Sequence, residues 1–153
     1  MQENAGIRSG LHRFLKMVLT ANGIGDIALG LGMVFWPGFL ARLLKLDLNT
    51  AGLYLAGGWG VAAISFGALR VCAGMSRRTE IGWFAAVFGL VDGPVLAVFG
   101  LALMALTPLG FAQVGLSTVF ALVFAAAYAF AFLLKRREDH RLPLDSASVR
   151  GGD

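Results

Sequence analysis

The chain has 153 residues, of which 13 are Lys or Arg and 9 are Asp or Glu, so only 14% are charged while 58% are hydrophobic. Mean hydropathy is +0.75. A soluble domain carries nearer a quarter of charged residues. The composition therefore excludes a soluble globular fold, a disordered chain and, despite the net charge of +4, a nucleic-acid binder; it leaves a helical integral membrane protein in one domain.

Charge is also unevenly placed. Between Met17 and Leu69 it is confined to Asp26, Arg42, Lys45 and Asp47, and between Ile81 and Leu134 to Asp92. About 20 apolar residues in a helix cross the hydrocarbon core. The first such segment is predicted at Met17–Trp36. It has no Ala-x-Ala-like cleavage site and runs into Trp36-Pro37, which marks a retained anchor rather than a removed signal. Next, Phe39–Leu46 carries Arg42 and Lys45 three apart among apolar residues. This spacing predicts a short amphipathic helix on the outer leaflet, the plain alternative being an ordered loop. Further spans are predicted at Leu53–Cys72, Gly82–Leu106 and Val114–Leu134. None alternates as a barrel strand would, so in lipid the segments are helices. The expected architecture is an all-α, four-transmembrane-helix bundle over 1–137, with 138–153 as a mobile polar tail.

Orientation follows from the basic residues. Arg8, Arg13 and Lys16 precede the first span; Arg70, Arg77 and Arg78 lie at the second turn; Lys135, Arg136, Arg137, Arg141 and Arg150 follow the fourth span. The other side holds only Arg42 and Lys45. This asymmetry puts both termini in the cytoplasm. Trp36 and Tyr54 then suit the outer interface and Trp83 the inner one. Lys135-Arg136-Arg137 serves as a topological anchor with some attraction for anionic lipid.

Helices in lipid associate through small residues that let backbones approach. Gly52, Ala56 and Gly60, continued by Ala63 and Gly67, line one face of the second span. Ala85, Gly89, Gly93 and Ala97 line one face of the third, and Ser117, Ala121, Ala125 and Ala129 one face of the fourth. These stripes suit either a compact bundle or an oligomer interface. Phe120, Phe124 and Tyr128 form a ladder that reads as lipid-facing or core packing. One Cys, Cys72, leaves no intramolecular disulfide, and His12 and His140 flank the spans, so no metal or haem ligand set is offered and no cofactor is expected.

The exceptions to the apolar pattern are Asp26 and Asp92. Counted from the predicted inner ends of their spans, they lie about 13.5 and 15 Å deep at 1.5 Å per residue. An Asp there costs roughly 2.5–3.5 kcal/mol, so each must face protein, water or a partner. Asn22 is one turn before Asp26 and within reach of its carboxyl. Gly93 and Pro94 follow Asp92; Pro94 clashes with the carbonyl of Leu90 and predicts a kink or break. Asp26, Asp92, Asn22, Gly93 and Pro94 are thus the candidate ligand-binding residues. Arg70 is the sole cation able to snorkel toward the acids, but its position favours the cytoplasmic interface. The bland alternative is that both acids are protonated packing residues bonded to Asn22, Ser65, Thr118 or freed carbonyls. Gly23-Ile-Gly-Asp26 and Gly89-Leu-Val-Asp92 share Gly-x-x-Asp, and each is followed by Pro and then Gly-Phe (Pro37-Gly38-Phe39; Pro108-Leu-Gly110-Phe111). Two helical hairpins related by an axis along the membrane normal would set the acids face to face.

A Gly-rich first span with Gly30 and Gly32, then Phe35-Trp-Pro37, an amphipathic stretch and a Gly-rich second span resemble the layout of the DoxX-like group of small four-span bacterial membrane proteins. That resemblance implies a neighbourhood of quinone-linked redox complexes and transfers no residue role. Three functions stay open. The favoured one is a protein that binds a quinone, isoprenoid or lipid in a midplane pocket, or an accessory subunit of a membrane complex. The others are a proton-coupled small-molecule transporter, built as a homo-oligomer, and an enzyme using paired carboxylates on a lipid-soluble substrate.

Overall fold

The computed structural model describes the backbone of residues 2–149 and the side chains of residues 10–137. Among the described residues the chain is all-helical: α1 (Gln2–Phe35), α2 (Pro37–Leu43), α3 (Thr50–Met75), α4 (Thr79–Leu106) and, after a π-helical turn at Phe111–Gly115, α5 (Leu116–Val149). Four stretches are long and apolar enough to cross a membrane: Gly10–Phe35, Thr50–Met75, Thr79–Leu106 and Phe111–Arg137. Each matches one predicted span and starts before it; the first stops at Phe35, one residue short of the predicted Trp36, and the third ends at Leu106 as predicted. Backbone hydrogen bonding continues past the point where hydropathy falls, so the helices outrun their apolar segments. The polar stretch 138–153, expected as a mobile tail, lies outside the residues whose side chains are described.

Local chemistry sets the joints. Trp36 interrupts the helix and Pro37 opens α2, the first helical position being one where a missing N–H is harmless. Lys45, at φ 53°, reverses the chain after α2. Asn49 then caps α3, its Oδ1 accepting from the Gly52 N–H at 2.9 Å. At the last joint the Gly110 N–H donates to Gln113 Oε1 at 2.9 Å, fixing the entry to the fourth long helix.

The long helices pair as two antiparallel hairpins, α1 with α3 and α4 with α5. Glycines hold the first together. A Cβ on Gly23 would sit 2.5 Å from the Gly67 carbonyl oxygen, and one on Gly67 would sit 2.6 Å from that of Gly23. Two turns away Gly30 and Gly60 repeat the arrangement, at 2.5 and 2.8 Å. Backbone therefore touches backbone, the packing that lipid favours. In the second hairpin the ring of Tyr128 lies on Gly89, Gly93 meets Ala121 and Ala125, and Gly100 meets Thr118. The expected α4 stripe is buried throughout, whereas in the fourth helix Ala121 and Ala125 are buried, Ala129 partly so and Ser117 exposed.

The hairpins join each other mainly at the end carrying the first turns of α1. Leu11, Leu15, Val18 and Leu19 pack there against Ala73 of α3, Ala85 and Ala86 of α4, and Tyr128 and Ala131 of α5. Trp83 and Phe132 meet at a tilt with ring centres 5.1 Å apart on the same end, and Lys135 lies over the indole at 4.6 Å. Elsewhere large apolar side chains such as Tyr54, Trp59, Val98 and Phe99 face outward. This inverts the pattern of a water-soluble protein and is compatible with an integral membrane protein.

Candidate functional site

Three helices each bring one charged residue to a common point. Asp26 comes from α1, Arg70 from α3 and Asp92 from α4. The guanidinium uses Nη1 to bond Oδ2 of Asp26 and Nη2 to bond Oδ2 of Asp92. A planar guanidinium suits this task because its donors diverge in a fixed fork.

Helix geometry explains why the residues meet. Gly23 and Gly67 are level in the α1–α3 contact. Asp26 is three residues along α1 from that level, and Arg70 three residues along antiparallel α3 in the opposite sense. Their Cα atoms are thus about 9 Å apart along the bundle axis at 1.5 Å per residue. Each side chain leans toward the N-terminus of its own helix. On antiparallel helices these leanings converge, and Arg70 is drawn away from the helix end. The expectation that Arg70 reaches the cytoplasmic interface is therefore corrected: it lies between the two acids, and its side chain is only 9% exposed.

Asn22 also has a different partner from the one expected. Its Nδ2 donates to the hydroxyl of Tyr128 at 3.0 Å, joining α1 to α5 beside the charged cluster. Tyr128 is fully buried. In the aromatic ladder Tyr128 is therefore a core residue. Phe120 packs close to Gly25 of α1, where an added Cβ would meet the ring at 2.6 Å, and lies 4.6 Å from Phe124. Ser65 and Thr118, the other partners considered for the acids, donate instead to carbonyls of their own helices, Val61 at 3.0 Å and Val114 at 2.8 Å.

Gly93 and Pro94 differ in role. Gly93 is buried, and a Cβ there would come 2.9 Å from that of Ala125. Pro94 is exposed, and of the expected kink or break the break does not occur, α4 being helical from Thr79 to Leu106. The neighbouring turns and the α5 contact hold the helix although Pro94 has no N–H for the carbonyl of Leu90.

The site has a charge balance and a direction. With all groups ionised, two carboxylates face one guanidinium, an excess of one negative charge. Asp26 is 20% exposed and Asp92 42%. The open side of the cluster is thus at Asp92. Because Arg70 engages Oδ2 of each acid, Oδ1 is the atom left for another donor. Among the described residues no three His, Cys, Asp or Glu side chains gather as a metal site; the cluster offers charge and hydrogen bonding. The chain matches no protein-family model, no curated protein and no solved structure.

Proposed function

We propose that the protein is a bacterial inner-membrane protein that binds an apolar, membrane-soluble ligand (a quinone, isoprenoid or lipid) through a polar end at Asp26, Arg70 and Asp92. Both termini are cytoplasmic, and α2 lies on the outer leaflet. Moving Arg70 from the inner tally to the cluster leaves ten basic residues against two, so the orientation is unaffected. The layout shared with the DoxX-like group agrees with a quinone-rich setting.

One observation carries this reading: a half-open carboxylate, Asp92, lies at mid-length of an apolar helix and is bound to a nearly buried arginine. A charged group at membrane depth is a functional feature by default. The Arg70 fork fixes the acids, and the exposed side of Asp92 is where a ligand could reach them. Purification from the native membrane followed by mass spectrometry of bound lipids tests the proposal. The wild-type protein should retain a defined ligand that Asp92→Asn and Asp26→Asn lose while staying folded. Equal retention in all three proteins would overturn it. Stoichiometric recovery of a partner protein with no small ligand would instead support an accessory subunit.

The excess negative charge favours a second reading, a proton-coupled transporter. Flux into proteoliposomes that ignores a pH gradient would count against it.

A further inference from the structure

The cluster lacks one positive charge, and we infer that its ligand supplies it: Asp26, Arg70 and Asp92 form a receptor for the cationic head of a lipophilic amine, which docks on Asp92. This rests on the ligand-binding reading above and narrows it to one charge class.

The charge count comes from every helix around the cluster. α1 contributes Asp26 and the neutral Asn22, α3 contributes Arg70, and α5 contributes Tyr128. α4 contributes Asp92, its other charged residue, Glu80, being in the first turn. One cation therefore faces two anions. An uncompensated charge in apolar surroundings is costly. An anionic head group would have to displace an aspartate from Arg70 and would enlarge the excess. A neutral head would leave it unchanged. A single positive charge balances it.

Geometry agrees. Arg70 is enclosed, so its guanidinium is not the face that a ligand meets. Asp92 is the most open of the three and keeps Oδ1 for a new donor. An ammonium head provides such donors, and a charge-assisted bond to a carboxylate is the strong kind. On binding, the ammonium donates N–H bonds to the Asp92 carboxylate, and no covalent bond of the amine changes.

The test uses the full chain in nanodiscs of zwitterionic phosphatidylcholine, with n-dodecylammonium and n-dodecanol as probes of equal chain length. Calorimetry is referenced to empty nanodiscs. The amine should bind saturably, about tenfold or more tighter than the alcohol, a preference of about 1.4 kcal/mol. Asp92→Asn should lose the preference, while Asp92→Glu should keep it; circular dichroism and gel filtration check that each variant is folded. Equal affinity for the two probes, or a preference that survives in Asp92→Asn, would each overturn the inference. If dodecanol binds as well as the amine and both need Asp92, the charge class falls and the ligand-binding reading stands. If neither probe binds, the inference falls, and the lipid retained by the native protein judges the reading independently.

Discussion

Replacing Arg70 by Met tests whether the guanidinium is what makes the two acids tolerable. Met keeps an unbranched apolar chain and removes the charge. Asp26, mostly enclosed, is then left in apolar surroundings with a like-charged neighbour. Breaking a buried pair by removing one partner costs about 3–5 kcal/mol. An independent ceiling comes from neutralising the stranded acid. Protonating an ordinary Asp at pH 7 costs about 4 kcal/mol, at 1.36 kcal/mol for each of about three units. The expected loss is therefore about 3–4 kcal/mol, or roughly 150- to 900-fold in the folded-to-unfolded ratio. SDS titration in mixed micelles, followed by the fluorescence of Trp36, Trp59 and Trp83, measures it. Adding Asp26→Asn to Arg70→Met should recover most of the loss, because the more enclosed of the two stranded acids is gone. An Arg70→Met protein as stable as wild type, or a double variant no better than Arg70→Met, would refute this account of the cluster.

Gly67→Leu should separate the first hairpin, since its Cβ would sit 2.6 Å from a backbone oxygen that cannot swing aside; the same titration should show a loss of about 1–3 kcal/mol or more. Gly58→Ala, where nothing lies within 4 Å, should instead be neutral or gain up to about 1 kcal/mol from helix propensity. Tyr128→Phe removes the acceptor of the Asn22 amide and should cost about 1–3 kcal/mol, and Asn22→Leu in that background should reduce the penalty. Reporter fusions after Arg137 and within the α2–α3 connection should read cytoplasm and exterior respectively; the reverse pattern would overturn the proposed orientation.

The spans were legible because hydropathy over about 20 residues is a strong signal. The α4 stripe was legible because small residues every fourth position define one face. Gly23 and Gly30 were harder to assign. They repeat every seventh residue, two turns apart, and become meaningful only beside Gly67 and Gly60, a pairing between helices distant in sequence. Asp26 and Asp92 stood out as the exceptions to an apolar run, but their partner did not. Arg70 sits near a helix end, and sequence position alone suggests snorkelling to the nearer interface. What decides its direction is that α3 runs antiparallel to α1, so the lean of the side chain carries it toward the acids. Tyr128 was hidden for a similar reason: three aromatics at helical spacing do not say which one turns inward.

The Gly-x-x-Asp repeat explains the shape of the site and its imbalance together. In each hairpin the motif glycine is where the partner helix packs: Gly23 against Gly67 of α3, Gly89 against Tyr128 of α5. Three residues beyond each glycine is an aspartate, and the two aspartates meet at one guanidinium. The expectation that the acids face each other follows from this shared local geometry. The partner helices do not match. Three residues beyond Gly67 is Arg70, whereas three residues beyond Tyr128 is Ala131, a small, fully buried side chain. The second hairpin thus repeats the acid without a cation at the corresponding place. Two like half-sites share one arginine, and the excess of one carboxylate over guanidinium follows from the absence of a cation at position 131.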